Sequence, residues 1–117
     1  MRRLEKAIAL LQVDMNQPHF PYKILALPIY KGRFDANKLT TENVDVYFAS
    51  YPQGTEIESH QHDTDNHGVV TQGQLILIVD SQEEVFNTGD WYHLPPNCVH
   101  AARFTEATSI IEFWFKN

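Results

Sequence analysis

The stretch Gly54-Thr55-Glu56-Ile57-Glu58-Ser59-His60-Gln61-His62 sets two imidazoles two residues apart, just after a turn-forming glycine and shortly before an apolar run. Side chains two apart on a strand share a face, so this spacing aims both rings at one spot. A second stretch, Gly89-Asp90-Trp91-Tyr92-His93-Leu94-Pro95-Pro96-Asn97-Cys98-Val99-His100, supplies another histidine after a similar turn. The interval between the two leaves room for a strand pair. Three neutral imidazoles converging inside a small β-barrel make a metal site.

The texture of the chain around these stretches is that of a β protein. Short β-type runs at 23–27, 44–51, 68–70, 75–79, 91–94, 99–104 and 109–115 are separated by Gly, Pro, Asn or Asp. In Val44-Asp45-Val46-Tyr47-Phe48 the apolar residues Val44, Val46 and Phe48 alternate with their neighbours, and the closing run from 110 to 115 behaves alike. Such strands pack one face more than the other. With no helices between them, they predict an antiparallel sandwich or barrel and not a parallel α/β sheet. Only the first segment differs. Leu4, Ala7, Ile8 and Leu11 follow helical spacing, and Pro18 and Pro21 end the pattern. The expected organisation is an N-terminal helix and linker over 1–21 and a β-barrel domain over 22–117, one domain in all.

Composition excludes several classes. A chain of 117 residues that is 43% hydrophobic and 21% charged has the makeup of a folded globular protein. A net charge of -6 without a basic stripe argues against nucleic acid. Arg2, Arg3 and Lys6 form the only basic cluster and read as the solvated face of the first helix. No apolar run is long enough to span a membrane, and no secretory pattern precedes a cleavage site, so the expected address is cytoplasmic. Cys98 is the single cysteine. It rules out an internal disulfide and reads as a small buried hydrophobe.

Two motifs now carry a family resemblance. Gly54, His60-Gln61-His62, Asn66 and Gly73 are similar to the first cupin motif, a glycine followed by His-x-His, a glutamate and a closing glycine. Gly89, Pro95-x-Asn97 and His100 resemble the second, in the right order and spacing for the smallest single-domain members. The resemblance covers 44–115 well and the first forty residues poorly. It implies a double-stranded β-helix, or jelly roll, whose histidines His60, His62 and His100 hold one divalent iron, manganese, nickel, copper or zinc ion. Similar small members often form homodimers.

The sequence departs from the pattern where the glutamate ligand is expected. Counting back from Gly73 reaches Asn66, whereas counting forward from His62 reaches His67. Period-two parity favours Asn66, because 66, 68 and 70 continue one face; a bulge at the turn would bring His67 in instead. Asparagine offers only a neutral carbonyl oxygen, while a fourth imidazole suits a transition metal well. His67, Asn66 or neither therefore completes the expected ligand set. Asn97 in place of the second motif's glycine is a mild change, since asparagine tolerates a left-handed turn.

The remaining residues fill in the expectation. His19 reads as a loop residue, and His93 as structural or as a residue orienting a ligand histidine. Val46, Phe48, Tyr92, Leu94, Ala102, Phe104 and Phe113 are candidates for the pocket wall, an apolar lining suited to a small organic molecule. Arg103 reads as a surface residue. Tyr92 is the candidate catalytic group, with Asp63 and Asp65 nearby. Two function classes stay open: a metal-dependent dioxygenase or isomerase acting on a small molecule, and a metal-stabilised binding or sensing module without turnover.

Overall fold

A computed structural model describes residues 20–32 and 34–116; the expected helix at 4–11 and His19 lie outside the described residues. One short helix, α1 (Tyr22–Leu25), precedes ten strands: β1 (Ile29–Lys31), β2 (Asp35–Thr40), β3 (Val44–Tyr51), β4 (Glu56–His60), β5 (Asp65–Gln72), β6 (Gln74–Val79), β7 (Gln82–Asn87), β8 (Trp91–Leu94), β9 (His100–Arg103) and β10 (Thr108–Phe115). The run 23–27, expected as a strand, is largely taken up by α1. Pro21 fixes φ at -54° before it, and its carbonyl accepts from the Ile24 and Leu25 amides at 2.9 and 3.1 Å.

The strands form two antiparallel sheets, one of six in the order β1-β2-β3-β10-β5-β8 and one of four in the order β4-β9-β6-β7. Their inner faces pack into a barrel, the antiparallel all-β architecture that the turn-and-strand pattern predicts, in the jelly-roll form that the family resemblance implies. Tyr47, Ala49, Tyr51, Val70 and Ile110 come from the larger sheet, Leu75, Leu77 and Ala102 from the smaller, and Phe104 from just past β9. Val70 and Ala49 are fully buried. The apolar area removed from water in this layer, at roughly 25 cal/mol per Å², is the main force closing the two sheets on each other.

Parity decides what faces the barrel interior. β5 alternates strictly, burying Asn66, Gly68 and Val70 and turning Asp65, His67 and Val69 outward. β3 and β10 carry apolar residues on both faces, so alternation alone does not say which face is inside. Tyr47, Ala49 and Tyr51 of β3 face the core, and Val46 and Phe48 lie on the outer face, where Phe20 packs edge-on to Phe48 at 5.6 Å. On β10, Ile110, Glu112 and Trp114 face inward and Phe113 outward, stacked on Trp91 at 6.0 Å. Val46, Phe48 and Phe113 are thus corrected from pocket wall to outer sheet face.

Candidate metal centre

The centre is built where β4 ends and β9 begins. The two strands pair with Glu56 opposite Arg103 and Ile57 opposite Ala102, then shift register so that His60 stands directly opposite His100. This irregularity re-aims a side chain at the end of the ladder, a common use of bulges. His62 follows just past the strand. Its carbonyl accepts the Asn97 amide at 2.6 Å, which ties the first motif to the turn leading into β9. That turn needs a left-handed residue, and Asn97 supplies it with φ 65°.

The three rings meet at one point. Centroids of His60 and His100 lie 4.3 Å apart, those of His60 and His62 4.7 Å, and those of His62 and His100 5.3 Å. One ligand nitrogen from each falls within 4.8 Å of the others. His60 Nδ1 lies 2.7 Å from the Glu58 carbonyl and His100 Nδ1 2.9 Å from the Cys98 carbonyl. A carbonyl only accepts, so both Nδ1 atoms carry the proton and both Nε2 atoms keep their lone pair toward the centre. His60 and His62 Nε2 are 3.1 Å apart. Two nitrogens bound at about 2.0–2.1 Å to a tetrahedral ion sit about 3.3 Å apart, so this donor set fits a divalent transition metal.

The rings open on a cavity between the sheets with about 50 Å³ of water-accessible space, walled by Tyr51, Tyr92, Leu94, Ala102, Phe104 and Trp114. Tyr92, Leu94, Ala102 and Phe104 all line this cavity, and the Trp114 ring lies 4.3 Å from that of His62. Gly68 makes room for the Tyr92 ring; a Cβ there would come within 2.3 Å of it. Among the described residues no lysine or arginine lines the cavity. Arg103 is on the surface, paired with Glu83 at 2.9 Å.

Asn66 lines the same cavity, its Oδ1 accepting the Thr64 hydroxyl at 2.6 Å. His67 does not join the three imidazoles. The strict alternation of β5 carries it to the outer face of the sheet, where it stacks on His93. His93 pairs with Asp65 on that outer face, and the backbone carbonyls of Glu58 and Cys98 hold His60 and His100.

Sequence reasoning missed Glu112, the carboxylate buried in this cavity. Its Oε2 accepts the Tyr51 hydroxyl at 2.5 Å and its Oε1 accepts the Trp114 indole N–H at 3.1 Å. Burial pushes the carboxyl above its usual range, and the two donated hydrogen bonds oppose that. The signal was present: Glu112 is the one acid in Ile110-Ile111-Glu112-Phe113-Trp114-Phe115 and shares parity with Ile110 and Trp114. Burial and the nearby Glu112 charge hold the Tyr51 and Tyr92 phenols well above their ordinary range. Both phenols therefore keep their protons.

Residues 47–114, well over half of the chain, match the cupin domain family. The chain belongs to the cupin family. This cupin is 33% identical over 69 residues to quercetin 2,3-dioxygenase of Bacillus subtilis. The match covers 58% of this chain and 20% of that protein, so the cupin spans about a fifth of the length of this curated relative. Among solved structures, it is similar to an RmlC-like cupin from Shewanella frigidimarina, with a TM-score of 0.71, 21% identity, and 88% of this chain and 96% of that one covered. A cupin superfamily protein from Desulfitobacterium hafniense gives a TM-score of 0.65 at 16% identity, covering 87% and 96%. At these identities the two structures speak for the fold alone.

Proposed function

We propose that this cupin binds one divalent transition metal, iron, manganese, nickel, copper or zinc, through His60, His62 and His100, and acts as a dioxygenase-type enzyme on a small organic molecule bound at the metal. The observation that carries this reading is the convergence of three ring nitrogens with the Nδ1 atoms of His60 and His100 tied to carbonyls. A metal held by three imidazoles supplies Lewis-acid or redox chemistry at the positions left for substrate. The dioxygenase named above, matched over 69 residues, supports oxygen chemistry on an aromatic compound.

The protein's own groups define what the substrate can be. Tyr51, Tyr92, Phe104 and Trp114 line the cavity with apolar rings, and its volume of about 50 Å³ admits only the reacting group of a substrate and not a whole aromatic body. Glu112 is the acid of the cavity and no lysine or arginine lines it among the described residues, so an anionic substrate would have the bound metal as its cationic partner there. A molecule carrying a hydroxyl group fits, with Glu112 taking or returning that proton and Tyr51 holding the carboxylate in place.

One observation favours a second reading, a metal-stabilised binding or sensing module. Asn66 stands where the family motif has its carboxylate ligand, so a group other members could use as ligand and base is absent from that strand. In either case we place the protein in the cytoplasm as a homodimer. Trp91 and Phe115, large apolar side chains left exposed on the six-stranded sheet, support such pairing.

Elemental analysis of protein purified without added metal tests the core of the proposal. We expect His60→Ala and His100→Ala to lose most of the cavity-bound metal and His19→Ala to lose none. Equal metal in all three would sink the assignment. Oxygen uptake on small phenols in the metal-loaded wild type then separates enzyme from sensor.

A further inference from the structure

A second set of donor atoms lies on the outer face of the six-stranded sheet. There β5 and β8 pair with His67 directly opposite His93, and Asp65 sits two residues before His67 on the same face. Both imidazoles turn Nε2 toward one carboxylate: His93 Nε2 is 2.6 Å from Asp65 Oδ1, and His67 Nε2 is 3.3 Å from Oδ2. The ring planes are 8° apart with centroids at 4.2 Å, so the nitrogen edges lie side by side. All three donor atoms fall within 4.8 Å of one another. The side chains are 39–48% exposed, open to an ion arriving from solvent.

We propose that Asp65, His67 and His93 form a second metal site, which takes a divalent ion of the zinc class with water completing the coordination. Two imidazoles and a carboxylate are the nitrogen and oxygen donors such an ion selects. Donors bound at about 2.0–2.1 Å in a tetrahedron stand about 3.3 Å apart. The His67–Asp65 pair already has that separation, and the His93–Asp65 contact must lengthen by roughly 0.7 Å to reach it. Imidazole torsions are broad, so a turn of each ring about χ2 directs both lone pairs to a common point. Without the ion, each Nε2–H donates to Asp65; on binding, that proton moves through solvent to Nδ1 and the nitrogen pair goes to the ion. The site depends on neither the cavity nor the function proposed for it. It would pin the edge strand β8 to β5 through side chains as well as through the backbone ladder.

Calorimetric titration of the chelator-stripped full chain with Zn2+ tests this. The expected stoichiometry is two ions per chain in the wild type, one in His67→Ala/His93→Ala and one in His60→Ala/His62→Ala. A wild type that takes one ion, with none left in His60→Ala/His62→Ala, overturns the outer site and leaves the cavity site standing. One ion retained in His60→Ala/His62→Ala and none in His67→Ala/His93→Ala supports the outer site and refutes the cavity site. A wild type that takes none overturns both. A check free of substitutions follows the histidine ring resonances of the wild type by NMR. Those of His67 and His93 should shift as zinc is added, and their remaining unmoved up to two equivalents would overturn the proposal.

Discussion

Replacing Tyr51 by Phe deletes one oxygen from the cavity wall and one of the two donors that hold Glu112. Tyr51 is only 4% exposed and stacks on Phe104 at 4.2 Å with 11° between planes, so the ring should stay in place and the loss should be confined to the hydrogen bond. A hydrogen bond to an ionised carboxylate contributes about 1.5–3 kcal/mol, and one to a neutral group about 0.5–1.5 kcal/mol. The cost therefore depends on the charge of Glu112. Burial raises its folded-state pKa above the ordinary 4.5, so between these two values the native state binds more protons than the unfolded state. Stability falls as pH rises through that window. Tyr51 stabilises the ionised form and limits this fall. Tyr51→Phe should thus cost the smaller amount on the acid side and the larger one above the window. Urea unfolding of chelator-treated protein, followed by tryptophan fluorescence across a pH series, measures it. Glu112→Gln should flatten the pH dependence and reduce the cost of Tyr51→Phe by about 1 kcal/mol or more at neutral pH. A cost for Tyr51→Phe that is the same at every pH, and unchanged in the Glu112→Gln background, would refute the coupling.

Gly68→Ala would set a methyl group within 2.3–2.4 Å of the Tyr92 ring, which must move by more than about 1 Å to reach van der Waals distance. We expect a loss of about 1–3 kcal/mol, read as a lower urea midpoint at constant slope; no loss would show that the ring leaves the wall freely. At Asn97, with φ 65°, Ala should cost about 1 kcal/mol while Gly should be close to neutral. Equal effects of the two substitutions, measured in the same way, would mean that the left-handed turn is not what Asn97 provides.

Much of this molecule can be read from its residues, because turns and period-two alternation are local. Gly54, Gly73 and Gly89 all adopt positive φ, and Asn97 does so where glycine would be expected. The histidines of the two motifs meet because a strand pair brings their ends together. What stayed hidden depends on neighbours far along the chain. β2 (Asp35–Thr40) and β7 (Gln82–Asn87) are polar, β7 being a largely exposed edge strand, so their composition resembles that of loops. Val46, Phe48 and Phe113 mislead because both faces of β3 and β10 are apolar; only the packing of the second sheet marks the inside. The run 23–27 carries β-type residues, yet one turn of helix follows Pro21. His67 turned on whether a bulge at the turn ahead of β5 shifts its parity, and β5 instead buries Asn66, Gly68 and Val70 in regular alternation.

The shift in register that sets His60 opposite His100 also has a consequence for kinetics. These residues belong to strands whose pairing closes a loop containing β5, β6, β7 and β8, so the cavity donors come together only when distant parts of the chain have found each other. Chains dominated by such pairings fold slowly, in roughly milliseconds to seconds. Asp65, His67 and His93 lie on β5 and β8, the next pair inward in the same nested arrangement. An ion arriving during refolding would thus meet finished pairings and not a local template. The order in which the two imidazole groups become able to hold it would time the closure of each sheet.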